Sequence, residues 1–316
     1  MELWDSNFTS LRNNYIVPLT QYQGEYKKSQ FNSLKVLLSS RFTSLTNLSG
    51  KTFELELEPD LLYTALINDI ELFYTRAIVQ AADLTRPGGM SSSWRFVTQY
   101  YFGFFSITAL FRILKRGFVF FSKGECVTFN SLATSLLSSV VHITAGNYSF
   151  KYLRTETNGN MIFHFANIGE GVHNKTWNAT AELLLDFCNQ SDGDEKTILQ
   201  VMRQMSIDYK PDLPSEVRNI INYHGPYGMR SISDEFTFPI FIMSRSKFVK
   251  AILGYKKSSD INTMAKDVGL FGHYLFLLTN DLMVEYYSRR HLKSDFHKAR
   301  HNYLKKIGLD FDAWIK

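Results

Sequence analysis

Ser91-Ser92-Ser93-Trp94-Arg95-Phe96-Val97-Thr98-Gln99-Tyr100-Tyr101-Phe102-Gly103-Phe104-Phe105-Ser106-Ile107-Thr108-Ala109-Leu110-Phe111-Arg112-Ile113-Leu114-Lys115-Arg116-Gly117 is the stretch on which the fold turns. The three serines offer an N-cap, since a hydroxyl can accept from the free amides of a first helical turn. From Trp94 the pattern runs unbroken to Gly117, with basic residues in the last turn to suit the helix dipole. Most of its circumference is apolar or aromatic. The exception is a narrow strip of Arg95, Gln99, Gly103 and Ser106. A helix of this kind sits at the centre of a bundle or in a subunit interface. Its most apolar part, Tyr100 to Leu114, is closed off by Arg112, Lys115 and Arg116 before it reaches the roughly 20 residues of a membrane span.

Outward from this helix the periodicity stays mostly helical. Leu34, Leu37, Leu38 and Phe42 mark a helix from about Phe31 to Ser44, and Leu62, Leu66, Ile70, Phe73 and Ala77 mark one that follows Pro59-Asp60. The second ends before Arg86-Pro87-Gly88-Gly89, a breaker. Between Asn147 and Ala166 the period changes to two: Tyr148, Phe150 and Tyr152 alternate, Asn158-Gly159 supplies a hairpin turn, and Ile162, His164 and Ala166 alternate again. Helical segments resume at about Thr176–Cys188, Glu195–Ile207 and Ser215–Tyr223, and later at Gly269–Tyr287 and Asp295–Ile307. The expected fold is mainly α, a helical bundle with an inserted β-hairpin at about 147–166. Its expected divisions are an N-terminal arm at 1–30, a helical domain at 31–230 carrying the hairpin, and a helical extension at 231–316 packed on it.

Apolar residues make up 45% of the 316 and charged residues 21%, which fits a protein with a full core and excludes disorder over most of the length. The net charge of +5 is compatible with an RNA partner without requiring one. Cys126 and Cys188 are the only cysteines and have no metal-type spacing, so neither a disulfide framework nor a structural zinc site is expected. No basic start followed by an apolar run is visible, and a cytoplasmic protein is the expectation. There is no nucleophile elbow, Walker loop or dinucleotide fingerprint, so nucleotide hydrolysis and hydride transfer lack support and no cofactor is expected.

The segment richest in chemistry is Asp212-Leu213-Pro214-Ser215-Glu216-Val217-Arg218-Asn219-Ile220-Ile221-Asn222-Tyr223-His224-Gly225-Pro226. Pro214 and Ser215 mark a helix start and Gly225-Pro226 an abrupt end, which leaves His224 at the C-terminus of the helix. Arg218-Asn219 followed by His224 after five intervening residues resembles the motif of the HEPN superfamily of ribonucleases: an arginine, a polar residue, then a histidine. Tyr100-Tyr101-Phe102-Gly103-Phe104-Phe105 through Gly117 resembles the aromatic helix that such proteins often carry. The likeness covers roughly residues 60–225.

The resemblance implies a metal-independent endoribonuclease, acting as a toxin or phage-defence effector and held silent by an inhibitory or sensor partner. Arg218, Asn219 and His224 are its implied catalytic residues, with Asn222 and Tyr223 in support. The chemistry is consistent with these side chains. A 2′-hydroxyl can attack the adjacent phosphate without a metal, an imidazole titrates near neutrality, and a guanidinium can grip phosphate oxygens with two donors. On an ideal helix Arg218 and His224 point roughly 120° apart, so the helix loosens or two copies share one cleft. The family's usual arrangement is the second, which implies a homodimer. The competing reading is structural: Arg218 paired with Glu216 or Asp212, and His224 capping backbone carbonyls. A non-catalytic helical RNA-binding, regulatory or structural subunit of a defence complex is the corresponding alternative function.

Arg290 and His297 repeat the arginine–histidine pattern in a strongly basic segment, where Lys293, Lys298, Arg300, Lys305 and Lys306 read as a solvated helix face or an RNA-binding patch. His297 and His301 are four apart, yet Lys298 and Arg300 between them repel cations, so no metal site is expected. His142 and His164 read as core or surface residues. His173, just before Asn174 and Trp177, could approach the site, although nothing in the spacing demands it.

Overall fold

The computed structural model describes residues 12–21, 33–49, 51–85, 90–137, 142–169, 171–210, 212–223, 245–290 and 295–307. The first described segment opens as a π-helical turn, Arg12–Ile16, and continues as α1, Val17–Gln21. It falls within the expected N-terminal arm, but Ile16 and Leu19 are buried beside Ile67, Ile70 and Met283. The first long apolar segment forms α2, Leu34–Ser40, capped by the Ser33 hydroxyl on Val36 N–H and shorter at both ends than its periodicity predicts. Two long helices follow, α3 at Pro59–Thr85 and α4 at Ser92–Ile113.

The quoted stretch is α4. The Ser91 side chain accepts from Trp94 N–H, as the cap requires. Helix α4 packs along α3 on one side and along α10, Ile261–Arg289, on another. The polar strip explains the second contact. Gln99 donates to Ala265 O at 3.1 Å, Thr279 donates to Ser106 O at 3.1 Å, and Gly103 lies against Gly272. A Cβ on Gly103 would stand 2.9 Å from Gly272 Cα, so the two backbones touch and a side chain at either position has no room. The strip is therefore the face of α4 turned to the later part of the chain.

The mainly α fold with a β-hairpin is as the periodicity predicts, and the hairpin belongs to a larger sheet. Strands β1 (Ser44–Ser49), β2 (Thr52–Leu57), β3 (Arg116–Phe121), β4 (Gly146–Thr155) and β5 (Met161–Gly169) form a five-stranded antiparallel sheet of order β1-β2-β5-β4-β3. The hairpin predicted from Asn158-Gly159 is its β4–β5 core. Phe53, Phe150, Phe163 and Phe165 are buried, with Phe53 and Phe165 stacked at 4.9 Å.

Helix α4 ends at Ile113 rather than continuing to Arg116, because Lys115 takes φ +54° and turns the chain into β3. Burial holds the Lys115 ammonium down to a pKa of about 8, among the rings of Tyr15, Tyr63 and Tyr152 at 6.0, 5.1 and 5.1 Å. The new strand is fastened to the helix by Arg112, which donates to Asp69 at 3.1 Å and to Phe118 O at 2.7 Å and lies over the Phe150 ring. Gly117 is required here. Its φ is +141°, and a Cβ would fall 2.2 Å from the Arg112 guanidinium.

The sheet is followed by α6 (Val172–Gln190), α7 (Gly193–Tyr209) and α8 (Leu213–Tyr223), with α5 (Lys123–Leu137) lying between β3 and β4 in the chain. Beyond them come α9 (Arg245–Leu253), α10 and α11 (Asp295–Lys306). Helix α11 is tied to α3 by a buried ion pair, Arg300 to Glu71 at 2.6 Å. Arg300 also donates to Thr75 at 2.8 Å and to the Tyr287 hydroxyl, which itself donates to Glu71 at 2.6 Å. Each charge of that pair is thus compensated, as burial demands. No described helix is long and apolar enough to cross a membrane.

Candidate functional site

Three helices bring their polar groups together around one phenol. Tyr100 lies on the N-terminal half of α4 and is almost fully buried. Its hydroxyl is 2.7 Å from His173 Nδ1 on α6, 3.2 Å from Ser215 Oγ on α8 and 3.3 Å from Trp177 Nε1, again on α6. Local sequence places each partner. His173 and Trp177 are four apart on α6 and so share a face, while Ser215 sits in the first turn of α8 with its side chain turned inward.

Arg218, one turn along α8 from Ser215, lays its guanidinium over the Tyr100 ring at 5.3 Å. It is half-buried and forms no ion pair with Glu216 or Asp212, and its Nε is buried with no hydrogen-bond partner among the described residues. The salt-bridged arginine of the structural reading is therefore not what the structure contains.

The electrostatics of the group follow from this packing. Burial, and then the nearby Arg218 charge, push the His173 imidazole down to a pKa of about 4. It is neutral at pH 7. Its ring is enclosed by Phe104 at 4.4 Å, Tyr100 at 5.8 Å and Tyr101 at 6.3 Å. Burial likewise raises the Tyr100 phenol, which stays protonated. The indole N–H can only donate, so the Tyr100 oxygen accepts from Trp177. Tyr100 can then donate to His173 Nδ1 while Ser215 donates to Tyr100. Alternatively His173 Nδ1–H donates to Tyr100 and Tyr100 to Ser215. The two hydroxyls thus let His173 adopt either tautomer while keeping its Nδ1 hydrogen-bonded, so Nε2 can serve as donor or as acceptor.

The expected site residues divide. Arg218 belongs to this cluster and Asn219 is exposed on α8 beside it. His224 and Lys293 lie outside the described residues, as do the side chains of Asn222 and Tyr223. Among the basic residues of α11, Lys298, Lys305 and Lys306 are exposed, but Arg300 is not available to RNA, being enclosed with Glu71, Tyr74 and Tyr287. A fully buried guanidinium bonded to a carboxylate, a threonine and a phenol cannot reach phosphate. Its place in the expected patch is corrected to a core role. Of the second arginine–histidine pair, Arg290 packs on Tyr286 and His297 on Tyr287.

His173, Tyr100, Trp177 and Ser215 are the site members that sequence spacing does not pick out. The position of His173 just ahead of Asn174 and Trp177 is the one local hint. Among the described residues no group of three or more histidine, cysteine, aspartate or glutamate side chains is gathered to hold a metal.

The fold and the site define a mainly α protein with a five-stranded antiparallel sheet and a half-buried arginine–imidazole–phenol cluster where three helices meet. Comparison with protein families, with curated proteins and with solved structures returns no match for the chain.

Proposed function

We propose that this chain is a metal-independent endoribonuclease, in which Arg218 holds the scissile phosphate and imidazoles handle the protons. In the reaction the 2′-oxygen bonds to the adjacent phosphorus and loses its proton to a base. The bond from phosphorus to the 5′-oxygen breaks, and that oxygen takes up a proton. The products are a 2′,3′-cyclic phosphate and a 5′-hydroxyl. His173 at Nε2 is one imidazole for these transfers and His224, which follows α8 in the chain, the other, with Asn219 orienting the phosphate.

One observation carries the reading. Arg218 is a half-buried guanidinium without a carboxylate partner among the described residues, resting on a tyrosine ring beside a neutral imidazole. A partly buried arginine ordinarily has its charge matched nearby, and one without a carboxylate partner has donors left over that suit an anion. The same anion acts on the histidine. Burial is the larger cause of the depressed His173 pKa, and a phosphate bound on Arg218 offsets the part that the arginine adds, which raises the pKa in the direction that favours proton transfer. The two segments that carry the likeness to HEPN ribonucleases, the aromatic helix and the Arg218 helix, meet at the Tyr100–Arg218 contact. That likeness adds a homodimer, with two copies of α8 facing one cleft.

The test is incubation of end-labelled single-stranded RNA with the purified chain in EDTA. Fragments ending in 2′,3′-cyclic phosphate are the expected result. A shifted band with intact RNA would instead identify a binding module.

A further inference from the structure

A second site lies away from the Tyr100 cluster, on the face of the sheet that α6 covers. There β3, β4 and β5 set two rows of side chains across the strands. Arg116 pairs with Lys151 and Lys151 with His164, while Phe118 pairs with Ser149 and Ser149 with Ala166. Helix α6 runs over this face and presents Ala179 and Glu182 to it. The small residues leave the middle empty: Ser149 and Ala166 on the sheet stand opposite Ala179 on the helix. The result is a groove of about 280 Å³, close to the lower end of the roughly 300–1,000 Å³ usual for small-molecule sites.

Its walls are chemically divided. Phe111 and Phe118 give it an apolar side, and Arg116 is stretched over the Phe111 ring at 5.2 Å. Arg116, Lys151 and His164 stand along the other side, and the side chains of these three form no hydrogen bond or ion pair with a described residue. Glu54, the cross-strand neighbour of His164, is turned to Arg154 at 3.5 Å. Glu182 is the one carboxylate in the lining, and with Asp186 it faces Arg116. Arg116 and Lys151, directly opposite each other across the strands, are like-charged neighbours of the kind that costs stability.

We propose that this groove binds a nucleoside monophosphate or the phosphorylated end of an RNA strand, the phosphate lying among Arg116, Lys151 and His164. The base lies against Phe118, and Glu182 accepts from its ring N–H or amino group. The groove is open to solvent and of a size to seat a single nucleotide. A guanidinium, an ammonium and an imidazole side by side match the three oxygens of a phosphate monoester, and a carboxylate on the opposite wall favours a base with adjacent donors, such as guanine. The assignment is independent of the ribonuclease reading, because it uses none of Tyr100, His173 and Arg218.

The experiment is calorimetric titration of the full chain with GMP, guanosine and a 5′-phosphorylated oligoribonucleotide. GMP or the phosphorylated oligonucleotide is expected to bind at least tenfold more tightly than guanosine. Lys151→Glu, at an exposed strand position, should weaken that binding at least tenfold with the circular dichroism spectrum unchanged. Ala166→Leu, which fills the hollow, should do the same. Equal affinity for guanosine, binding unaffected by either variant, or no binding of any probe at millimolar concentration would overturn the proposal.

Discussion

Replacing Gly103 with leucine is expected to leave no stable folded protein. The position is the point where α4 and α10 touch backbone to backbone, and an added Cβ would stand only 2.9 Å from Gly272 Cα and 3.5 Å from the Trp177 ring. Neither a helix backbone nor a buried indole can give way as a flexible side chain would. Overpacking of an ordinary core site costs about 1–3 kcal/mol. Here the whole α4–α10 interface must part, and with it the Gln99–Ala265 and Thr279–Ser106 hydrogen bonds. That loss is comparable with the roughly 5–15 kcal/mol by which domains are stable at all. Gly103→Ala provides a sharper check, since alanine is favoured in a helix by about 1 kcal/mol over glycine. A net destabilisation by urea denaturation, despite that gain, is the expected result. A more stable alanine variant would mean that the helices do not approach as closely as the structure places them.

Arg218→Ala is expected to lower RNA cleavage by about 10³-fold while leaving the fold intact. Loss of one preorganised donor to a developing phosphate or oxyanion charge costs about 10²–10³, and a guanidinium supplies two donors and the full charge. Arg218→Lys should recover little of the rate. An ammonium keeps the charge but has neither the planar fork nor the flat face that rests on the Tyr100 ring. His173→Ala should cost about 10²–10⁴, the usual range for a positioned acid or base. Rates under single-turnover conditions with excess enzyme, with circular dichroism as the control, decide the matter. If both variants cut as fast as the parent chain, the cluster is a structural joint between helices.

The contrast between these two sites explains how far the sequence can be read. Helix α4 was legible because its signals are local: a serine cap, an apolar circumference and a strip of small and polar residues at helical spacing, which proves to be the seat of α10. The β4–β5 hairpin was legible for the same reason, through alternation and Asn158-Gly159. Strand β3 was not, because Phe118–Phe121 follows the basic end of the helix after Gly117 alone, with no turn sequence between them, and the switch rests on Lys115 adopting a left-handed conformation that lysine seldom takes. Strands β1 and β2 are six residues each, and β2 gains its second partner only when β5 arrives from far along the chain.

The candidate site divides in the same way. Arg218 stood out by its position in a short helix with abrupt ends. His173 and Ser215 converge on Tyr100 from 73 and 115 positions away, and no spacing rule spans such distances. Arg300 misleads in the opposite direction. In sequence it belongs to a basic run, and its burial depends on Glu71 being carried by another helix.

Cleavage at this place requires RNA to enter the Tyr100 cluster, and the most direct measurement is the titration of His173 by NMR in the isotopically labelled chain. The probe is a single-stranded oligonucleotide with 2′-deoxy sugars, which can bind but lacks the attacking hydroxyl. The free protein should show His173 with a pKa of about 4. On binding, its resonances should shift and its pKa should rise, as the phosphate offsets the Arg218 charge. Oligonucleotide that binds with the His173 titration unchanged would contradict the assignment of this cluster as the site of cleavage.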